Sequence, residues 1–184
     1  AAGGSAADAA IAVQLVLSMV EPQSSGIGGG AFALYWDVKA SEVTSYDGRE
    51  LSPAASEENR FLTKDGKPMG RMQAIVGGKS VGVPGVVRML DLMHRRHGKL
   101  PWAKLFEPAI AIADDGFAVS PRLNALLAGD SAFRNAEAAR AYYYEPDGSP
   151  KAVGTILKNP AFAKVLRAIA SEGADAFYTG AIAA

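Results

Sequence analysis

Hydrophobic and polar positions divide the chain into an apolar first quarter and a helically punctuated remainder. From Ser5 to Val20 the run SAADAAIAVQLVLSMV is rich in Ala, Leu and Met, which are good helix formers. It is apolar nearly all round and predicts a buried helix. After a glycine-rich turn, AFALYWD is short and aromatic-rich and reads as a strand. Gly30 to Asp37 and Glu42 to Asp47 (EVTSYD), joined by VKAS, have the spacing of a β-hairpin with a four-residue loop. The first strand has almost no polar residue on either face. It is therefore expected in a sheet covered on both sides, within layers of helix and sheet.

The second strand runs out through Asp47-Gly48-Arg49-Glu50-Leu51-Ser52-Pro53 into a charged surface loop that includes KDGKPMGR. A second glycine-dense connector, Gly77 to Gly85, follows. From Pro84, read as a first helical residue, Val86, Leu90, Met93 and His97 share one face, and Gly98 stands where a left-handed C-terminal cap belongs. Pro101 to Phe106 and Pro108 to Asp115 repeat the pattern and stop at Gly116. Ser120-Pro121 and Asn159-Pro160 each pair an N-cap residue with an N1 proline, and Phe162, Val165, Leu166 and Ile169 form the buried stripe of the last long helix. GADAFYTGAIAA adds one short helical turn. There is no internal repeat and no low-complexity tract.

Composition narrows the classes. A chain of 184 residues with 49% hydrophobic content can bury a domain-sized core. Nineteen basic and nineteen acidic side chains cancel, so nothing points to nucleic acid or an anionic membrane surface. The absence of cysteine excludes disulfides, zinc-thiolate sites and a thiol nucleophile in this stretch, without deciding the compartment. The first apolar segment is interrupted by Asp8 and Gln14 and ends at Glu21-Pro22, too soon for a membrane span, and no basic region precedes it as in an intact signal peptide. A start at Ala1, leading straight into a buried helix, is expected of a chain cut from something longer at both ends.

The glycines of EPQSSGIGGG raise the question of a phosphate cradle. Helix, glycine loop, strand is the reverse of the dinucleotide-binding order, and neither this loop nor GGKS at 77–80 has P-loop spacing. Backbone with positive φ, or an approach too close for a Cβ, is the better explanation. His94 and His97 lack a third ligand and read as a basic helix end favourable to the dipole. Asp114-Asp115, being adjacent, do not face each other as an acid and base pair would. Tyr142 to Tyr144 read as packing of a surface loop, and Ser24 and Ser25 have no local base. Arg49 stands apart. At a strand end inside a hydrophobic layer, between Asp47 and Glu50, its forked donors are placed either to grip a carboxylate or to pair internally with those two acids.

Several blocks, GGSAADAAIAVQLVLSMVEPQSSGIGGGAFALYWD, YDGRELSPA, GGKSVGVPGVV, HGKLPWAKLFEPAIAIADDGFAVS and GADAFYTGAIA, resemble in order the large-subunit region of the γ-glutamyltransferases, also called γ-glutamyltranspeptidases. The resemblance covers nearly the whole chain and makes residues 1–184 part of one α+β domain with a mostly helical second half. It implies a share in a four-layer αββα sandwich of the N-terminal-nucleophile hydrolase type, made as a precursor that cleaves itself. It also implies a small subunit bearing the threonine nucleophile and the oxyanion-hole glycines, so that no catalytic residue lies in this chain. A nucleophile that uses its own α-amino group as base needs no histidine. Arg49 matches the family's arginine for the α-carboxylate of the γ-glutamyl group, with Asp47 and Glu50 positioning it, and Gly26 to Gly30 is given a mainly architectural role. Implied partners are that small subunit, glutathione or other γ-glutamyl compounds, and an amino acid, peptide or water as acceptor. No metal or cofactor is implied, and the compartment would be periplasmic or extracellular. The alternatives are a cephalosporin or glutaryl acylase on the same scaffold and a non-catalytic fragment retaining the fold.

Overall fold

The computed structural model describes residues 3–129 and 131–184. The first helix, α1 (Ala6–Val20), begins with a reciprocal cap. Ser5 Oγ accepts the Asp8 N–H at 3.1 Å while the Asp8 carboxylate accepts the Ser5 N–H at 2.8 Å, which satisfies two N-terminal donors at once. The helix is not buried all round as expected. It hides the stripe Ala7, Ile11, Leu15 and Met19, whereas Val13 is exposed, because helices pack against only one side of it within this chain.

Strands β1 (Ala31–Asp37) and β2 (Glu42–Gly48) form the expected antiparallel hairpin, with Asp37 opposite Glu42 and Ala31 opposite Gly48. Alternation places Ala31, Ala33 and Tyr35 with Tyr46 on the inner face, against helix α3 (Val86–His97). On the other face Phe32, Leu34, Trp36 and Val43 are 68%, 77%, 55% and 60% exposed. The expectation of a strand covered on both faces is thus met on one face only within this chain.

Helix α2 (Arg71–Ile75), which sequence periodicity did not reveal, interrupts the long loop after β2. Then come α3 and α4 (Glu107–Asp115), the latter preceded by a 3₁₀ turn at Trp102–Leu105 and ended by Gly116 at φ 99°. The short strand β3 (Phe117–Ala118) leads to α5 (Pro121–Gly129), α6 (Ser131–Asn135) and α7 (Glu137–Tyr143), and β4 (Ile156–Leu157) returns to pair with β3. Helices α8 (Pro160–Glu172) and α9 (Asp175–Tyr178) close the described chain. Both proposed N-caps are in place: Ser120 Oγ accepts the Leu123 N–H at 3.1 Å and Asn159 Oδ1 accepts the Phe162 N–H at 3.0 Å.

The main core gathers Ile11 and Leu15 of α1, Val86 and Leu90 of α3, Phe106, and Leu166 and Ile169 of α8. A satellite core under the β3–β4 pair holds Val119, Leu123, Leu127, Tyr144 and Leu157. Met19, Ala113 and Ala163 form a third buried cluster where α1, α4 and α8 meet. Two local readings are corrected. Gly85, not Pro84, precedes the first turn of α3, and Gly98 is extended (φ −65°, ψ 145°) instead of left-handed. A glycine is still needed at 98 because the His94 ring and carbonyl lie where a Cβ would be. The mixture of helix and strand, mostly helical in the second half, agrees with the expected class. Among the described residues no helix is long and apolar enough to cross a membrane.

Candidate functional site

The exit of β2 is where three stretches of bare backbone meet. Gly85 and Val86 donate their N–H groups to the Gly29 carbonyl at 3.0 and 3.2 Å, and Leu51 and Val83 exchange N–H···O bonds at 3.1 and 2.8 Å. The two glycine loops therefore clamp residues 48–51 between them. Gly26, Gly28, Gly29 and Gly30 are absent from the positive-φ glycines among the described residues, so left-handed backbone is not what selects them. At Gly30 the reason is proximity: a Cβ would come within 2.9 Å of the Gly48 carbonyl oxygen and strike the Glu50 carboxylate. At Gly85 it would overlap the Gly48 carbonyl outright. No phosphate is needed to explain Gly30 and Gly85. The amides that open α3 are already spent on a backbone carbonyl.

Arg49 emerges from this clamp. Asp47 Oδ1 accepts the Arg49 N–H at 2.8 Å, an Asx turn that fixes the backbone but does not touch the guanidinium. Glu50 Oε2 lies 3.4 Å from Arg49 Nε, and that oxygen is otherwise unpartnered and closed off from solvent. Contrary to expectation, Arg49 does not sit inside a hydrophobic layer. Its side chain is 70% exposed because the strand leaves the core at Gly48. The ion pair engages Nε, and Arg49 lines a cleft of about 290 Å³ with Glu50, Ser52, Arg60 and Lys79. Three cations against one already paired carboxylate make this cleft suited to an anion, and the Nη edge of a guanidinium can grip a carboxylate bidentately.

The other sequence candidates are structural. His97 stacks on Tyr35 with ring centroids 3.7 Å apart, and its Nε2 is 2.6 Å from Tyr46 Oη, so it fastens α3 to the hairpin. His94 Nε2 is 2.8 Å from the Leu100 carbonyl and 4.0 Å from Asp8. The pair thus does more than sit at a basic helix end. Local spacing could not show this, since the partners are remote in sequence. Among the described residues no group of three side chains is arranged to hold a metal ion. Asp114 pairs with Arg167 of α8, and Ser25 Oγ accepts from Gln14 Nε2 at 3.0 Å. Of the three tyrosines, Tyr142 and Tyr143 belong to helix α7, not a loop, and Tyr144 is buried with its hydroxyl donating to the Leu127 carbonyl at 2.9 Å. Burial, with the neighbouring Tyr143 adding to it, pushes the Tyr142 phenol up to about 12.

A residue missed in the sequence is Asp8, which is 2% exposed. Besides the Ser5 N–H, its carboxylate accepts the N–H groups of Lys99 and Leu100 at 3.0 and 3.1 Å, tying the start of α1 to the loop after α3. Burial raises its pKa, but the backbone donors of Ser5, Lys99 and Leu100 outweigh that and bring it below the usual carboxylate range.

The family model described as Gamma-glutamyltranspeptidase matches residues 1–184. The "Glutathione hydrolase proenzyme" of Bacillus subtilis is 35% identical over 181 residues, which are 98% of this chain and 31% of that protein. The crystal structure of Helicobacter pylori gamma-glutamyltranspeptidase superimposes with a TM-score of 0.92 at 31% identity, over 98% of this chain and 52% of that one. A cephalosporin acylase from Bacillus halodurans is more distant, with a TM-score of 0.77 and 28% identity over 99% of this chain and 34% of that one. The chain therefore spans about a third of the length of the curated relative and about half of the solved transpeptidase chain.

Proposed function

Because this chain belongs to the gamma-glutamyltranspeptidase family, we propose that it is part of the large subunit of an enzyme that transfers or hydrolyses γ-glutamyl groups, and that Arg49 holds the α-carboxylate of the donor. The observation that carries the reading is the state of Arg49: its backbone is set by Asp47, its Nε is engaged by Glu50, and it lines a cationic cleft. A guanidinium anchored through Nε keeps its two Nη groups for a ligand. Asp47 and Glu50 are positioning residues in this account. The nucleophile, a threonine that attacks the γ-amide carbonyl and passes the acyl group to water or an amine, lies on a small subunit cleaved from the same precursor. The donor is glutathione or a related γ-glutamyl amide. Support for the missing half of the site comes from the apolar outer face of the hairpin, which in the proposed four-layer sandwich lies against the second sheet.

The test is made on the complete mature protein. Arg49→Gln is expected to lower kcat/KM for a γ-glutamyl anilide by roughly ten- to a hundredfold, since a hydrogen bond to a charged group contributes about 1.5–3 kcal/mol. The loss should fall mainly on KM, because the carboxylate is remote from the reacting bond. Arg49→Lys, which keeps charge but not the fork, should lie between. A donor lacking the α-carboxylate should be poor for the wild type and little affected by the substitution. Equal losses on both donors would make Arg49 a structural ion-pair member.

A second reading, an acylase acting on glutaryl or cephalosporin side chains, is favoured by the likeness to the Bacillus halodurans structure. Competition between γ-glutamyl and glutaryl anilides distinguishes the two, because the glutaryl group lacks the α-amino group while retaining a carboxylate for Arg49.

A further inference from the structure

Beyond Arg49 the cleft continues. The 290 Å³ space beside Arg49 and a larger one of about 750 Å³ share the wall made by Pro53, Arg60 and Lys79. Arg60 and Lys79 come from opposite sides of the loop after β2 and brace each other through backbone: Arg60 Nη2 donates to the Gly78 carbonyl at 3.4 Å, and Lys79 Nζ donates to the Arg60 carbonyl at 3.5 Å. Arg60 Nη1 also donates to Ser56 Oγ. Among the described residues neither cation makes an ion pair, in contrast to Arg49, Arg88, Arg95 and Arg167, which all do. The acids that face the two spaces are Glu50, engaged with Arg49, and Glu57 in the larger one, where Lys64 offsets it. Two cations held by neutral carbonyls, with no carboxylate of their own, leave an unbalanced positive wall in the same cleft as Arg49.

We propose that Arg60 and Lys79 form a second carboxylate subsite that selects donors whose leaving group itself ends in a carboxylate, as a γ-glutamyl peptide does and a γ-glutamyl anilide does not. The proposal rests on the assignment of Arg49 to the α-carboxylate. Arg49 and this wall then address two separate carboxylates of one extended donor. The wall is solvent-accessible, so its effect is one of selectivity and is screened by salt.

The experiment compares, in the complete mature protein, a γ-glutamyl dipeptide with a free C-terminal carboxylate, the same dipeptide amidated at its C-terminus, and a γ-glutamyl anilide. The wild type should prefer the free acid over its amide by roughly three- to tenfold in kcat/KM, the range that exposed ion pairs give when two act together. That ratio should shrink as salt is raised. Arg60→Gln with Lys79→Gln should bring the ratio close to one, lowering kcat/KM for the free acid roughly three- to tenfold more than for the amide or the anilide, and Arg60→Lys should retain most of it. Lys79→Gln alone, whose side chain makes a single long contact, guards against a collapse of the loop and should halve the ratio or more. A wild-type ratio near one, or variants that lose the anilide activity as much as the peptide activity, would overturn the subsite. Failure of the Arg49 assignment shows up separately, as an Arg49→Gln variant with unaltered anilide KM.

Discussion

Asp8 is buried and accepts backbone N–H groups from both ends of its neighbourhood. Asp8→Ala would leave the part-buried N–H groups of Ser5, Lys99 and Leu100 without their side-chain partner. Each such loss costs about 1–3 kcal/mol, so a destabilisation of at least ~3 kcal/mol is expected, read as a lower melting temperature of the complete protein. The pH dependence has a definite sign. The folded-state pKa is depressed below the ordinary aspartate value, so the contribution is fully present above the unfolded pKa and is lost as pH falls through the folded one. The gap in melting temperature between wild type and Asp8→Asn should therefore narrow below pH ~4. Gly30 is the second sensitive position. Gly30→Val places a branched side chain against the Glu50 carboxylate and the Gly48 carbonyl, and should reduce the yield of correctly folded, cleaved protein. Gly28→Val, where nothing lies within 4 Å of an added Cβ, should be the milder change. An immunoblot of precursor and cleaved chains compares the two.

Between α3 and the β-hairpin the join is made by an aromatic sandwich at the helix's C-terminal end. His97 lies on Tyr35 and meets Tyr46 edge-on as well as at its hydroxyl, and the Arg96 guanidinium is 5.7 Å from the Tyr46 ring. His97→Ala removes a stacked pair worth about 0.5–1.5 kcal/mol and a hydrogen bond worth about 0.5–1.5 kcal/mol. A loss of 1–3 kcal/mol in urea unfolding is the expected sum. Tyr46→Phe, which keeps the ring and drops the hydroxyl, should lose less. A pair of variants with no effect would show that the hairpin is held on α3 by Ala31, Ala33 and Met89 alone. The element is one whose strands were readable from alternation and whose anchoring was not. AFALYWD declares a strand, but the identity of its covered face depends on a helix fifty residues on.

Taken whole, these residues close a helical core on one side and leave a hydrophobic sheet face open on the other. Phe32, Leu34, Trp36 and Val43 lie together on a two-stranded sheet, and neither a lone hairpin nor an open apolar face is stable in water by itself. Residues 1–184 expressed alone should therefore be inactive and self-associating, with light scattering rising at micromolar concentration. Co-expression with the remainder of the protein should restore a monodisperse species. A cooperatively unfolding, monomeric product from the isolated chain would contradict the proposed sandwich.

The elements themselves were settled by short-range physics. Ser120-Pro121 and Asn159-Pro160 name their helix starts because an N-cap acceptor and a proline act within one turn. The hairpin follows from alternation and loop length, and the ordered family-like blocks carried the family. The glycine loops do exclude a Cβ by close approach at Gly30, Gly82 and Gly85, whereas at Gly26 and Gly28 no atom lies closer than 4.0 Å to one. Three distant backbone segments meet at Gly30, Gly48 and Gly85, and no local pattern encodes such an encounter. The exposure of Arg49, the burial of Asp8 and the stacking of His97 were likewise decided in the folded molecule. Burial and pairing are properties of neighbours brought from elsewhere in the chain, whereas propensity and capping act within a few residues of themselves.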